Sequence, residues 1–139
     1  MKVLFICKNN QFRSQMAAAL YNHITGTNDA DSAGTWVGSA KVPEGAVIDG
    51  YFRTTDFFEL MEENGMSVRG NRAKKLTQEM LQQANVVVAM VKEPFIPDFL
   101  RENKKAIWWD VEDPPFATRE VSERTYSQIK DLVEALIVS

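Results

Sequence analysis

Cysteine and histidine are scarce in this sequence, with one of each among 139 residues. A single cysteine excludes a disulfide within the chain, and one residue of each type is too few for a structural zinc cluster. We therefore expect neither a metal nor another cofactor. A reducing cytoplasm is the expected setting for a chain that keeps one free thiol.

Long hydrophobic runs are missing as well. No apolar stretch approaches the roughly 18 residues that predict a membrane-spanning helix, and the N-terminal apolar run turns polar too soon for a secretory signal. The net charge of −3 gives no general attraction to nucleic acid or to an anionic membrane. We expect no partner of either kind, and one domain spanning 1–139 with its own hydrophobic core.

Strand and helix patterns alternate along the chain. The predicted strands are 2–6, 30–35, 85–90 and 106–109. The predicted helices are 14–26, a segment capped by Thr54 or Thr55 and stopped at Gly65, 77–83, 94–103 and 120–138. The Gly- and Pro-containing segment 36–53 is predicted to be a long loop. Buried strands joined by crossover helices predict an α/β three-layer sandwich with a roughly four-stranded parallel sheet.

The only cysteine, Cys7, follows the first predicted strand and precedes the first predicted helix. In parallel α/β folds, ligands bind at the carboxyl ends of strands, near helix N-termini. The loop from Lys8 to Arg13 can therefore turn its N–H groups into one concavity, to which the helix dipole adds partial positive charge. The sequence thus predicts an anion-binding loop with a thiol at its base.

Three side chains of this segment suit chemistry on an oxyanion. The positive field favours the thiolate of Cys7, which is the nucleophilic form of cysteine. Arg13 has a planar fork that matches two oxygens of a phosphate, and Ser14 can donate a hydrogen bond to the thiolate. Taken alone, the spacing also fits a Cys7 that is only a small buried residue at a strand end.

The stretch VLFICKNNQFRSQMA resembles the signature of the low-molecular-weight protein tyrosine phosphatases and of the arsenate reductases built on the same fold. Later segments resemble the same family in the same order: DSAGTWVG at 31–38, NRAKKLT at 71–77, NVVVAM at 85–90 and DVEDPPF at 110–116. The resemblance covers nearly the whole chain, so it is more specific than the cysteine motif alone.

The resemblance implies a role for each catalytic residue. Cys7 attacks phosphorus, Arg13 and the loop amides hold the phosphate oxygens, and Asp113 of the Asp-Pro loop protonates the leaving oxygen. Asp113 then activates water to hydrolyse the phosphocysteine. Asp110 is the competing acid, but Pro114 fixes the backbone after Asp113 and restricts Asp113 itself to extended geometry.

Further residues are implied around this centre. The phosphate-binding loop is Lys8, Asn9, Asn10, Gln11, Phe12 and Arg13. An Asn9-Asn10 pair stands where relatives have Gly-Asn, and asparagine tolerates the positive φ that such loops require. The Asn10 side chain is expected to brace the loop, with Ser32 as its partner and Asn71 nearby where relatives often have histidine. Trp36 and Phe116 are expected at the pocket rim.

The expected activity is hydrolysis of a phosphate monoester, with phosphotyrosine in a protein as the expected substrate. A phosphoarginine protein and a small phosphate ester also remain open as substrates. The segments Ser14-Gln15-Met16 and Asp113-Pro114-Pro115 resemble the arsenate reductases more closely. Because the chain has no further cysteine, a reductase would need an external thiol donor. A non-catalytic phosphate-binding module and a cysteine phosphocarrier are the remaining alternatives, although neither needs both Arg13 and Asp113.

Overall fold

A computed structural model describes residues 1–50 and 55–139 of the chain. The strands in these residues are β1 Val3–Cys7, β2 Ala30–Gly34, β3 Val86–Ala89 and β4 Ala106–Trp108. The helices are α1 Arg13–Thr25, α2 Asp56–Glu63, α3 Gln78–Gln83, α4 Asp98–Arg101 and α5 Arg119–Ile137, with a short 3-10 helix at Ile48–Gly50. The end of the predicted 36–53 loop and the possible cap Thr54 lie outside the described residues.

The strands form one parallel sheet in the order β2-β1-β3-β4. The chain leaves β1 towards β2 on one side and later returns to β3 on the other side. The strand order therefore reverses beside β1, and in open α/β sheets the crevice at such a point is where ligands bind. The predicted α/β fold with four parallel strands is confirmed.

Side chains of β1 alternate between two hydrophobic cores, as the two-residue period of a strand requires. Val3, Phe5 and Cys7 belong to the core that also contains residues of α1, α2 and α5. Leu4 and Ile6 belong to the core that contains residues of α3 and α4. All five are at most 5% exposed. Burying a side chain of this size contributes about 1.5–3 kcal/mol, so the loop after β1 starts from a firmly anchored strand.

Capping threonines begin two of the helices as their chemistry predicts. Thr77 accepts a hydrogen bond from the Met80 N–H at the start of α3, and Thr118 accepts one from Val121 at the start of α5. Thr55 precedes α2, but its hydroxyl donates to Glu59 at 3.3 Å and does not cap the helix.

The prediction of a helix over 94–103 is wrong in its extent, because only Asp98–Arg101 is helical. Pro97 has no N–H to donate and disfavours a helical conformation in the residue before it. Pro97 itself has an extended ψ of 154°, and the helix starts directly after it. Across the described ranges, no helix is both long enough and apolar enough to cross a membrane.

Candidate active site

The loop after β1 is fixed to the neighbouring strand by backbone hydrogen bonds. The Thr35 N–H donates to the Cys7 carbonyl at 3.0 Å, and the Trp36 N–H donates to the Lys8 carbonyl at 2.9 Å. The parallel pairing of β1 with β2 thus continues into the loop. Because α1 begins at Arg13, the loop lies at a helix N-terminus, where free N–H groups and the dipole favour a bound anion.

The thiol of Cys7 belongs to a chain of hydrogen bonds. Its Sγ lies 3.0 Å from Ser14 Oγ, and Asn10 Nδ2 donates to the same Ser14 oxygen at 2.8 Å. Since the Ser14 oxygen accepts from Asn10, its own proton is free to point at the sulfur. A hydroxyl that donates to sulfur stabilises the thiolate, both as the attacking group and as the leaving group.

Asn10 adopts the strained conformation that the loop requires. Among the described residues it is the one non-glycine residue with positive φ, at 54°. Its side-chain Oδ1 accepts from the Lys74 N–H at 2.9 Å and from Gln15 Nε2 at 3.2 Å. A left-handed conformation costs roughly 1–2 kcal/mol, and these bonds to a fully buried side chain offset that cost.

The expected pairing of Asn10 with Ser32 is wrong. Asn10 bonds Ser14, Gln15 and Lys74, and no hydrogen bond joins it to Ser32 within the described chain. The reason is register: Ser32 pairs with Phe5, whereas Gly34 pairs with Cys7 at the strand end. Ser32 therefore lies two residues, or about 6.6 Å, below the edge from which the loop rises.

Gln15 is a bracing residue that the sequence argument missed. It is 3% exposed, and its Nε2 donates to the Asn10 carbonyl at 3.1 Å as well as to the Asn10 side chain. Its Oε1 accepts from Asn71 Nδ2 at 3.0 Å. Asn71 is thus connected to the loop as expected, but through Gln15 rather than directly.

The guanidinium of Arg13 has two distinct edges. Its Nη1 donates to the carbonyls of Met90 and of Val111, the latter at 3.0 Å. Its Nη2 lies 3.6 Å from Asp113 Oδ1, and its side chain is 4% exposed. Within the described residues Nε and Nη2 make no hydrogen bond, so this edge is available to two oxygens of an oxyanion.

The two candidate acids have different surroundings. Asp110 points to solvent with its side chain 85% exposed and pairs with Lys92 at 2.6 Å. The hydrogen bond from Lys92 holds the pKa of Asp110 below its ordinary value, which favours its ionised form, without a proton to give. Asp113 faces Arg13 and lines the same cavity as Cys7. The geometry therefore favours Asp113 over Asp110.

One cavity of about 450 Å³ brings the predicted residues together. Cys7, Arg13 and Asp113 line it, and so do the loop residues Asn9, Gln11 and Phe12. Trp36 and Phe116, the two expected rim residues, are both part of its wall, and Phe116 is 54% exposed. Its other lining residues are Lys41, Val42, Pro114, Pro115 and Ala117.

Lys8 is a loop residue whose side chain turns away from this cavity. Its Nζ lies 3.8 Å from the ring centre of Phe95 and 4.5 Å from that of Trp36, and the two rings meet edge to face at 5.5 Å. Cation–π contacts of this kind stabilise the ammonium. Lys8 lines a second cavity of about 490 Å³, which shares Arg13 and Asp113 with the first.

Gly34 is a second residue that the sequence argument missed. A Cβ at this position would lie 2.8 Å from the Lys8 carbonyl oxygen and 3.0 Å from the Asn10 nitrogen. Only glycine lets the end of β2 approach the loop backbone this closely. A glycine inside a strand pattern is a general signal of such an approach, and it was present in the sequence.

Residues 1–50 and 55–139 contain no group of three or more His, Cys, Asp or Glu side chains that could hold a metal ion.

Comparison with known families gives one match over nearly the whole chain. The model of the low molecular weight phosphotyrosine protein phosphatase family matches residues 2–139. No curated protein matches the chain in sequence.

Solved structures of this family are similar in fold. The low molecular weight protein tyrosine phosphatase from T. tengcongensis is 28% identical with a TM-score of 0.73, and the alignment covers 99% of this chain and 97% of that chain. The YwlE arginine phosphatase from Geobacillus stearothermophilus is 24% identical, with a TM-score of 0.77 and coverages of 97% and 89%. Vibrio vulnificus Wzb in complex with benzylphosphonate is 19% identical, with a TM-score of 0.77 and coverages of 97% and 95%.

Proposed function

Because the chain belongs to the low molecular weight phosphotyrosine protein phosphatase family, we propose that it hydrolyses phosphotyrosine in proteins through a phosphocysteine intermediate. One observation carries the proposal: Cys7, Arg13 and Asp113 line a single cavity, and the Cys7 sulfur lies 3.0 Å from the Ser14 hydroxyl. A module that only binds phosphate needs neither a thiol nor an acid. Because the nucleophile is a free thiol, we place the enzyme in the reducing cytoplasm.

In the first step, the Cys7 thiolate attacks phosphorus in line with the leaving oxygen. The S–P bond forms as the P–O bond to the tyrosine ring breaks, and Asp113 gives its proton to the departing phenolate. The Nε–Nη2 edge of Arg13 and the loop N–H groups hold the three other oxygens, which carry the developing charge. General acid catalysis of this kind contributes about 10²–10⁴-fold.

In the second step, Asp113 accepts a proton from water as the water oxygen attacks the phosphocysteine. The P–O bond forms, the S–P bond breaks, and Cys7 leaves as a thiolate. The Ser14 hydroxyl stabilises that thiolate because its oxygen is already occupied as an acceptor by Asn10. The products are inorganic phosphate and the enzyme in its starting protonation state, because the proton that Asp113 takes from water replaces the one it gave to the phenolate.

The walls of the cavity support an aromatic leaving group. Trp36 and Phe116 contribute aromatic side chains to the lining, and Pro114 and Val42 add apolar residues. Aromatic walls of this kind bind a planar ring through offset or edge-to-face contacts. These contacts support phosphotyrosine over a small aliphatic ester.

The first test is hydrolysis of para-nitrophenyl phosphate near pH 6 by wild type and by Cys7→Ser. We expect turnover by the wild type and loss of turnover in Cys7→Ser, which keeps the oxyanion-binding loop. Reduction of arsenate with several thiol donors is assayed in parallel. Arsenate turnover with negligible ester hydrolysis would replace the proposal with the reductase alternative, and a stable phosphocysteine would indicate a phosphocarrier.

The second test assigns the acid. Asp113→Asn should slow aryl phosphates most when the leaving phenol is poor, because only such a phenol needs a proton as it departs. The same substitution at Asp110, which pairs with Lys92 at the surface, is the matched control and should have little effect. An equal loss for good and poor leaving groups in Asp113→Asn would refute Asp113 as the acid.

A further inference from the structure

Two lysine side chains lie against Trp36 at the mouth of the active site. Lys8 Nζ is 4.5 Å and Lys41 Nζ is 5.7 Å from the ring centre of Trp36. Lys41 is exposed and lines the catalytic cavity, whereas Lys8 is half-buried and lines the adjoining one. Within the described chain, neither ammonium forms an ion pair with a carboxylate.

The carboxylates around the two cavities are already paired with other cations. Asp110 pairs with Lys92 at 2.6 Å, Glu112 with Arg124 at 3.2 Å, and Glu93 with Arg101 at 2.7 Å. Asp113, the carboxylate that lines the catalytic cavity, faces Arg13. The uncompensated charge at this mouth is therefore positive, although the chain as a whole carries −3.

A polypeptide that places a phosphotyrosine in the catalytic cavity must carry its neighbouring residues out over the rim. Trp36 forms part of that rim, so residues beside the phosphotyrosine come within reach of Lys41 on the catalytic side. The ammonium of Lys41 has a long flexible stem and no carboxylate partner among the described residues, so it can meet a carboxylate without breaking an existing ion pair.

We propose that Lys41 makes this enzyme select phosphotyrosine sites that are flanked by acidic residues. The inference rests on the proposed phosphatase function and names its substrate class. Pairs between exposed charges are weak, so the expected preference for an acidic over a neutral flank is about two- to fivefold in kcat/KM. Screening by salt should reduce the preference further as ionic strength rises.

The experiment compares two phosphotyrosine peptides of equal length, one with glutamates and one with alanines on both sides of the phosphotyrosine. Wild type, Lys41→Ala and Lys104→Ala are assayed with both peptides and with para-nitrophenyl phosphate. Lys104 is a matched control: it is exposed, and it precedes β4 at the amino edge of the sheet, opposite the active site. Because each ratio is measured on one enzyme preparation, it does not depend on the folded fraction.

We expect wild type and Lys104→Ala to favour the acidic peptide about two- to fivefold at low salt and Lys41→Ala to show a ratio near one. Equal rates for the two peptides in wild type, or a preference that survives in Lys41→Ala, would overturn the inference. An equal change in Lys104→Ala would also overturn it, because the effect would then follow net charge. Turnover of para-nitrophenyl phosphate without turnover of either peptide would refute the substrate class and leave the hydrolase intact. Absence of Cys7-dependent hydrolysis of any substrate would instead refute the proposed function itself.

Discussion

Gly34→Ala should damage the active site although Gly34 has no chemistry of its own. The added Cβ would lie 2.8 Å from the Lys8 carbonyl oxygen, 3.0 Å from the Asn10 nitrogen and 2.7 Å from the Val37 side chain. Two of these atoms belong to the backbone of the anion-binding loop. Moving the Lys8 oxygen from 2.8 Å to an ordinary contact of 3.4 Å requires a displacement of 0.6 Å.

The displacement must come from the loop, because Gly34 itself is held from the other side. Its N–H donates to the Lys74 carbonyl at 2.8 Å, and its carbonyl accepts from the Leu76 N–H at 3.0 Å. A misplacement of about 1 Å at a catalytic group can cost about 100-fold in rate. A shift of roughly half that size in the loop N–H groups should therefore lower kcat/KM by about 10- to 100-fold. Overpacking should also lower the free energy of unfolding by about 1–3 kcal/mol.

The assay is hydrolysis of para-nitrophenyl phosphate together with the inhibition constant of inorganic phosphate. We expect the inhibition constant to rise with the loss of kcat/KM, because both depend on the loop N–H groups. Gly26→Ala is the matched control. Gly26 has a φ of 68° and follows α1, whose 13 residues place it about 20 Å from the loop.

Gly26→Ala should cost roughly 1–2 kcal/mol of stability through its left-handed backbone and leave kcat/KM of the folded enzyme unchanged. The two variants thus separate a loss of stability from a distortion of the loop. If folded Gly34→Ala kept kcat/KM within about twofold of the wild type, the argument that this contact shapes the loop would be refuted.

Two further predictions concern the brace of the loop and the contact between two helices. Gln15→Ala leaves the Asn10 carbonyl without its donor, so the free energy of unfolding should fall by about 1–3 kcal/mol. The inhibition constant of phosphate should rise as well. An unchanged phosphate affinity in the folded variant would contradict the bracing role. Arg119 donates two hydrogen bonds of 2.8 Å to Glu63 and so lowers the Glu63 pKa from its ordinary value of 4.5. Glu63→Gln should reduce the urea midpoint of unfolding at pH values above 4.5. The difference from wild type should vanish as the pH falls through the lowered pKa of Glu63, because Glu63 is then protonated in both the folded and the unfolded state. A difference that persists at lower pH would show that the charge of Glu63 is not its source.

Local sequence patterns were sufficient to predict an element where a single segment of the chain determines its structure. The apolar run before Cys7 predicted β1 because a strand buried on both faces carries no polar alternation. Thr77 predicted the start of α3 because a hydroxyl cap acts within four residues. The prediction of a helix over 94–103 failed for a local reason too, because Pro97 delays the start of α4 to Asp98.

Contacts between distant segments could not be predicted in the same way. Gln15 and Asn71 are 56 positions apart, and their hydrogen bond follows only from the packing of α1 against the segment before α3. Ser32 was predicted to contact the loop, but it lies two residues before the end of β2. The sequence of β2 does not reveal its register with β1. Gly34 lies two residues further along, at the point where the strand meets the loop, and its small size matters only once that register is known.

Arg13 shows why the site residues nevertheless form one unit. Its Nη1 donates to the carbonyl of Met90, after β3, and to that of Val111, two residues before the proposed acid Asp113. Its other edge remains for the oxyanion above Cys7. A lysine ammonium is a point charge and could not hold both carbonyls on one side while presenting two parallel donors on the other. The planar guanidinium therefore links the loop of Cys7 to the loop of Asp113. In the proposed mechanism, a phosphate bound to the free edge lies between the two groups that act on it.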